Sequence, residues 1–250
     1  MITVENLTKH FPSIKAVDSI SFAINRGEVV GLLGKNGAGK STTLKILAGM
    51  MNPTSGTARI DGQEISIENT ELKARIGFVP ESVNLYECLS AREYLLFVGR
   101  MHGLDDQAIE NKIQELLSFF EISDRADERL TSYSKGMKRK VLFSSALLTD
   151  LDILLLDEPL DGLDVNTQIK LKALIQSHAK SGKIVIYSSH ILDVVEKVCS
   201  RLIILDHGRM VEDDTIESLH TRYGRESLEE IFVRLTESGP VFNIQEDRNK

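Results

Sequence analysis

Residues 34–42 read GKNGAGKST, and within them Gly34, Gly39, Lys40 and Ser41 keep the spacing glycine, four residues, glycine-lysine-serine. A glycine loop of this kind lets backbone N–H groups turn inward around a chain of phosphates. The lysine can reach the β and γ phosphates, and the serine hydroxyl can ligate Mg²⁺. Asn36, Gly37 and Thr42 belong to the same loop and complete its nucleotide-binding candidates. A second set stands at 153–158, where the apolar run ILLL ends in Asp157 and Glu158. In a phosphate-loop protein, this is where a second Mg²⁺-associated carboxylate belongs. Asp157 is the candidate for the metal shell, and Glu158 for the general base that polarises the attacking water. Acidic residues after a strand are common; the pairing with the phosphate loop gives them meaning.

These groups need rigid elements to hold them. The apolar run 29–33 enters the loop as a buried strand, and 42–50 leaves it as a helix. The N-terminus of that helix adds the positive end of its dipole to the phosphate site. Upstream, 2–11 and 16–24 read as strands, the second with Val17, Ile20, Phe22 and Ile24 on its apolar positions. Residues 57–60 and 64–67 predict a β-hairpin turning at Asp61-Gly62. A short strand follows at 76–79. The stretch 91–149 then turns almost wholly helical, with helices over 93–101, 106–120 and 135–148. Strand character returns at 153–156, 184–187 and 202–205, with a helix at 166–178. Strands alternating with helices imply an α/β fold with a parallel sheet covered on both faces. The helical block reads as a subdomain inserted into that core. His207-Gly208 predicts a last hairpin, 228–235 an amphipathic helix, and 239–250 a polar, fraying end.

The bulk properties exclude several classes. A net charge of −7 gives nucleic-acid binding no support. Cys88 and Cys199 lack metal-ligand spacing and read as two buried thiols. No apolar run approaches the ~18 residues that span a bilayer, and the first residues are not a signal peptide. The expected location is cytoplasmic, with any membrane role supplied by a partner.

The ordered motifs resemble the ATP-binding cassette (ABC) family of ATPases over nearly the whole chain. Tyr133-Ser134-Lys135-Gly136-Met137 stands where that family has Leu-Ser-Gly-Gly-Gln; Ser134 and Gly136 match, and the other residues depart. Ser134 occupies a helix N-cap position, and a helix N-terminus is an anion site. Ser134 and the backbone around Gly136 are therefore candidates for a γ-phosphate, with an ordinary helix cap as the alternative. The resemblance implies that this segment completes the site of a second copy, with ATP between two chains. Residues 159–164, PLDGLD, resemble the loop after the catalytic Glu, with Asp164 as the matching carboxylate. His190, in Ser188-Ser189-His190, matches the switch histidine that contacts the γ-phosphate and holds the water–Glu158 geometry. Phe11 falls where the family stacks an aromatic on adenine; a core Phe is the alternative. Glu81 stands where most members carry a Gln that touches Mg²⁺. That Glu, the run Gly-Met-Lys-Arg-Lys and the helix at 228–235 resemble a subgroup of single-cassette exporters of the ABC-2 type. Lys138, Arg139 and Lys140 read as a solvated helix face or part of the phosphate-facing surface.

The resemblance implies a P-loop NTPase (RecA-like) core with an antiparallel β subdomain and an inserted all-helical subdomain at 82–149. It divides the chain into an ATPase domain, 1–220, and a short C-terminal extension, 221–250. It implies ATP and Mg²⁺ as ligands, Ser41, Glu81 and Asp157 as metal residues, and Glu158 and His190 as catalytic residues. The implied partners are a second copy and an integral membrane permease, without nucleic acid, on the inner face of the cell membrane. The segment 82–104, with Leu85, Tyr86 and Leu89, is expected to dock the permease. The activity implied is ATP hydrolysis powering export. The alternative is a non-transport ABC ATPase acting on DNA or the ribosome. Against it stand a helical insert of ordinary length and a single cassette. A third reading, a sensor that binds without hydrolysing, is opposed by Glu158 and His190.

Overall fold

The computed structural model describes residues 1–224 and 226–236. Strands β1 (Ile2–Phe11) and β2 (Ile14–Ile24) pair antiparallel. Asn6 and Ser19 have positive φ, and the register slips around Leu7. These bulges let Val17 and Ile20, three residues apart, both face inward. After β3 (Val29–Leu33) and α1 (Lys40–Leu47), β4 (Ser55–Ile60) joins β1 from the other side. Asp61 and Gly62, both at positive φ, turn β4 into β5 (Gln63–Glu64). The resulting sheet has the order β2-β1-β4-β5.

The second strand of that hairpin is shorter than its sequence predicts. Ile65 still donates to the Ala58 carbonyl, but the Ile67 N–H goes to the Asn52 side chain instead of the ladder. The chain then enters α2 (Thr70–Lys73), capped by Asn69, a single turn whose pattern is too short to read.

A second sheet holds the site. β6 (Ile76–Val79) is followed by the helical insert α3 (Ala91–Met101), α4 (Asp106–Phe119) and α5 (Lys135–Ala146). Then come β7 (Ile153–Asp157), α6 (Val165–Lys180), β8 (Ile184–Ser188), α7 (Leu192–Val198), β9 (Arg201–Asp206) and β10 (Arg209–Thr215). The order is β10-β9-β3-β8-β7-β6, parallel except for β10. Every residue of β3, β7 and β8 is buried, because both faces of the sheet are covered. One face packs on α1 and the antiparallel sheet through Val30, Leu32, Leu44, Leu155 and Ile186. The other packs on α6, α7 and the helical insert through Leu33, Leu154, Leu156, Phe143 and Ile175.

The helices of the insert begin with strong caps. Ser90 and Glu93 form a reciprocal capping box on α3. Asp105 accepts from Gln107 and Ala108 at the start of α4. At the C-terminal end, α8 (Ile216–Tyr223) runs across residue 220, so no break in structure falls at that division. Beyond it, α9 (Leu228–Thr236) buries Leu228 and Ile231 in the same core as the helical insert. The stretch 239–250, expected to fray, lies outside the described residues. Cys199 is buried as expected, but Cys88 is exposed, because the segment ahead of α3 runs over the surface. Among the described residues, no helix is long and apolar enough to cross a membrane.

Candidate active site

Parallel strands deliver their C-terminal ends to one edge of the sheet, and ligands of open α/β sheets bind there. In this chain β3, β6, β7 and β8 end together around an open pocket of about 810 Å³. That volume lies in the range of sites for small organic ligands, ~300–1,000 Å³. The loop residues Asn36, Gly37, Gly39, Lys40, Ser41 and Thr42 form one wall. Glu81, Asp157, Glu158 and His190 form the opposite one. Phe11 lies at the rim with Ile14 and Ala16.

Gly39 caps α1 at φ 106. A Cβ there would lie 2.4 Å from the Ala16 carbonyl oxygen, so only glycine lets the loop pass this close to β2. Lys40 is the first residue of α1, and its ammonium donates to the carbonyls of Gly34 at 2.6 Å and Lys35 at 3.3 Å. Gly34 thus serves the site through its carbonyl and does not line the pocket. Burial pushes the Lys40 pKa down, while the facing Glu158, Asp157 and Glu81 push it back up. The wall opposite the lysine is therefore anionic, and a phosphate chain seated on Lys40 would meet it only with a cation between them.

Asp157 ends β7 and is nearly fully buried. Its Oδ1 accepts from the Ser188 hydroxyl at 3.0 Å, which fixes the carboxylate from the neighbouring strand. Glu158 has φ 47, a left-handed conformation worth about 1–3 kcal/mol of strain for a non-glycine residue. This turn points its carboxylate at His190, with Oε1 2.9 Å from Nδ1. The Glu158 N–H is held by the Ser188 carbonyl at 3.0 Å. The sequence-level pairing of Glu158 with His190 is thus a direct contact here.

Phe11 is not a core residue: it is 38% exposed, with the Lys9 ammonium 5.6 Å from its ring centroid. Ile14, absent from the sequence-based candidates, extends this apolar rim. No group of three or more His, Cys, Asp or Glu among the described residues could hold a metal on its own. Ser41, Glu81 and Asp157 instead offer hydroxyl and carboxylate oxygens, which suits a hard cation that completes its shell with phosphate and water.

Ser134 and Gly136 do not line this pocket. Ser134 is exposed and caps α5, accepting from the Met137 N–H at 3.2 Å. A Cβ on Gly136 would lie 2.7 Å from the Gly162 carbonyl oxygen, so that glycine keeps α5 against the loop after Glu158. Asp164 in that loop caps α6. Bonds from the Thr167 hydroxyl and N–H, then Lys140, hold its carboxyl well below the usual range.

The expectation of a solvated face for Lys138, Arg139 and Lys140 is wrong at Arg139. Its side chain is fully buried. Lys138 and Lys140 are not freely solvated either: each is paired, with Glu87 at 2.7 Å and Asp164 at 3.2 Å. The signal for Arg139 was available: it stands three and four residues before Leu142 and Phe143, on the inward face of α5.

A glycine loop between a central parallel strand and a helix, faced by carboxylates from the next strands, defines a phosphate-loop nucleotide-binding protein. A family model described as ABC transporter matches residues 17–161. The linearmycin resistance ATP-binding protein LnrL of Bacillus subtilis is 35% identical over 239 residues, 96% of this chain and 76% of its own length. The ABC transporter ATP-binding protein NatA of the same organism is 35% identical over 93% of this chain and 97% of its own. The Nod factor export ATP-binding protein I of Burkholderia lata is 35% identical over 87% and 72%. Among solved structures, an ATP-binding subunit of an ABC transporter superposes with a TM-score of 0.87 at 31% identity, over 94% of this chain and 99% of that one. A dimeric ATP-binding cassette in a post-hydrolysis state bound to ADP and Pi gives 0.80 at 26% identity, over 86% and 99%. The chain belongs to the ABC transporter family, as an ATP-binding and ATP-hydrolysing subunit.

Proposed function

We propose that two copies of this chain close on ATP and reopen on hydrolysis, and that they drive export through a separate membrane permease from its cytoplasmic side. The observation that carries this reading is the single pocket that joins Lys40 and Ser41 to Glu158 and His190. The names of the relatives, linearmycin resistance and Nod factor export, support export as the direction.

Phosphoryl transfer to water needs positioning and charge stabilisation more than covalent chemistry. The loop N–H groups and the α1 N-terminus cradle the phosphates, and Lys40 leaves its carbonyl partners for the β and γ oxygens. Phe11, with Ile14 beside it, stacks on the base. Glu158 takes the proton of the attacking water, and His190 holds its carboxylate and contacts the γ-phosphate. Ser134 and the Gly136 backbone of the other copy close the site. Ser41, Glu81 and Asp157 would hold Mg²⁺, which would supply positive charge to offset that of the phosphates.

Glu81 gives this reading a distinct test. Its carboxylate is a better Mg²⁺ ligand than an amide, and without the metal it repels the γ-phosphate. Glu81→Gln is expected to raise ATP affinity in the absence of Mg²⁺ and to leave Mg-ATP affinity almost unchanged. An unchanged ratio of the two affinities, measured by equilibrium titration, would turn Glu81 away from the metal.

The permease surface is the segment from Ser82 to α3. Leu85 and Leu89, expected on the docking surface, are half-buried against the helical core. Tyr86 remains 62% exposed and meets the exposed Phe97 edge-on, at 5.8 Å. Met101, 74% exposed, follows Phe97 by one helical turn. An exposed apolar patch favours an interaction site, and the segment that carries Tyr86 begins directly after Glu81, so it can move with the state of the γ-phosphate. A photo-cross-linker at Tyr86 in native membranes is expected to capture an integral membrane protein. Capture of soluble proteins alone would refute the docking surface.

A further inference from the structure

We propose that Arg139 is a positioning residue for hydrolysis: its buried guanidinium ties the Glu81 backbone to the turn that carries Glu158, and so fixes the Glu158 carboxylate. The inference rests on Glu158 being the general base.

Arg139 projects from the inward face of α5. Its Nη1 donates to the Glu81 carbonyl at 2.9 Å, and its Nε to the Pro159 carbonyl at 3.2 Å. Its Nη2 donates to the Asp157 carbonyl at 3.3 Å and to the Glu158 carbonyl. Among the described residues it makes no ion pair. Burying a charge away from water is expensive unless oriented dipoles replace its hydration, and here backbone carbonyls are the replacement. Burial pushes the Arg139 pKa down; Asp161, Glu81, Asp157 and Glu158 push it back up. An apolar side chain would fill the same space but leave these carbonyls unpaired, so the arginine is there to hold them and not only to pack.

The carbonyls it gathers belong to the residues whose placement matters. Glu158 is held at φ 47 by three groups: the Ser188 carbonyl on its N–H, His190 on its carboxylate, and Arg139 on its carbonyl. The first two come from β8 and the residues after it. The third comes from the helical insert. Arg139 lies five residues beyond Ser134 on α5, about 7.5 Å along the axis. One rigid helix therefore links the segment that reaches the partner's nucleotide to the base of its own site. A lysine cannot replace this fork, because its donors radiate from one point and cannot span carbonyls on separate segments.

Arg139→Met would strand the carbonyls and is expected to fold poorly. The test therefore uses Arg139→Lys, which keeps the charge, and Arg139→Gln, which keeps a planar donor. Single-turnover hydrolysis, ATP affinity and thermal unfolding are measured for each, alone and combined with Glu158→Gln. A misplacement near 1 Å can lower a rate about 10²-fold, so Arg139→Lys is expected to slow single turnover about 10–100-fold with little change in ATP affinity. In the Glu158→Gln background the same substitution is expected to produce no further loss, because the group it positions is gone. Equal losses in both backgrounds, or wild-type turnover in Arg139→Lys, would overturn the inference. If Glu158→Gln itself hydrolyses normally, the base assignment falls and this inference with it. If Glu158→Gln is inactive while Arg139→Lys is unimpaired, only the inference falls.

Discussion

Glu158→Gln is expected to bind ATP normally and to lose about 10²–10⁴-fold in hydrolysis, the usual contribution of a general base. The side chain keeps its shape, so its contact with His190 and the turn at φ 47 can persist. What disappears is the ability to accept a proton. The neighbouring Asp157 cannot substitute. Both carboxylates line the pocket, but that of Asp157 is fixed by the Ser188 hydroxyl and assigned to the metal, while Glu158 meets the exposed His190. Blocking hydrolysis also removes the step that reopens the dimer. The variant is therefore expected to accumulate as an ATP-bound dimer on size exclusion, where the wild-type chain returns to monomer as ATP is consumed. Hydrolysis near the wild-type rate would remove Glu158 from the role of base.

The parts of this site that the sequence discloses are those held by local rules. The phosphate loop is contiguous, and Gly39 is required by a backbone approach that no other residue permits. Asp157 and Glu158 follow an apolar run, and the parallel order of β3, β8, β7 and β6 brings that strand end beside the loop. His190 was recognisable by its place after a core strand, though its 2.9 Å contact with Glu158 depends on the turn at Glu158. Strand lengths were less legible. The strand Gln63–Glu64 is short because, after Ile65 pairs with Ala58, the Ile67 N–H goes to the side chain of Asn52, distant in sequence. The short helices α2, α7 and α8 gave too few turns for a periodic signal. Arg139 was misread because charge in a basic run suggests solvent, whereas its helical phase with Leu142 and Phe143 points inward.

Ser134 lies outside the pocket of its own chain, and this leads to the second large expected effect. An exposed serine capping α5 cannot act on the ATP bound beside it, yet α5 presents its N-terminus, a favourable anion site, outward. In a two-fold dimer that end can face the pocket of the partner, in the same way on both sides. Lys40→Ala is expected to abolish hydrolysis by removing the cation that meets the β and γ phosphates. Ser134→Arg is expected to abolish it by filling the partner's site with a bulky side chain. Mixed together, the two variants assemble a dimer in which both lesions fall in one site and the other site is intact. If the sites fire independently, an equal mixture is expected to recover about a quarter of wild-type turnover, since half the dimers are mixed and each carries one working site. The measurement is ATPase activity of each variant alone and of the mixture, with heterodimers isolated on two affinity tags. Undiminished hydrolysis in Ser134→Arg alone would sink the shared-site arrangement. Recovery in the tagged heterodimer, absent from both parents, would place Ser134 across the interface from the Lys40 it serves.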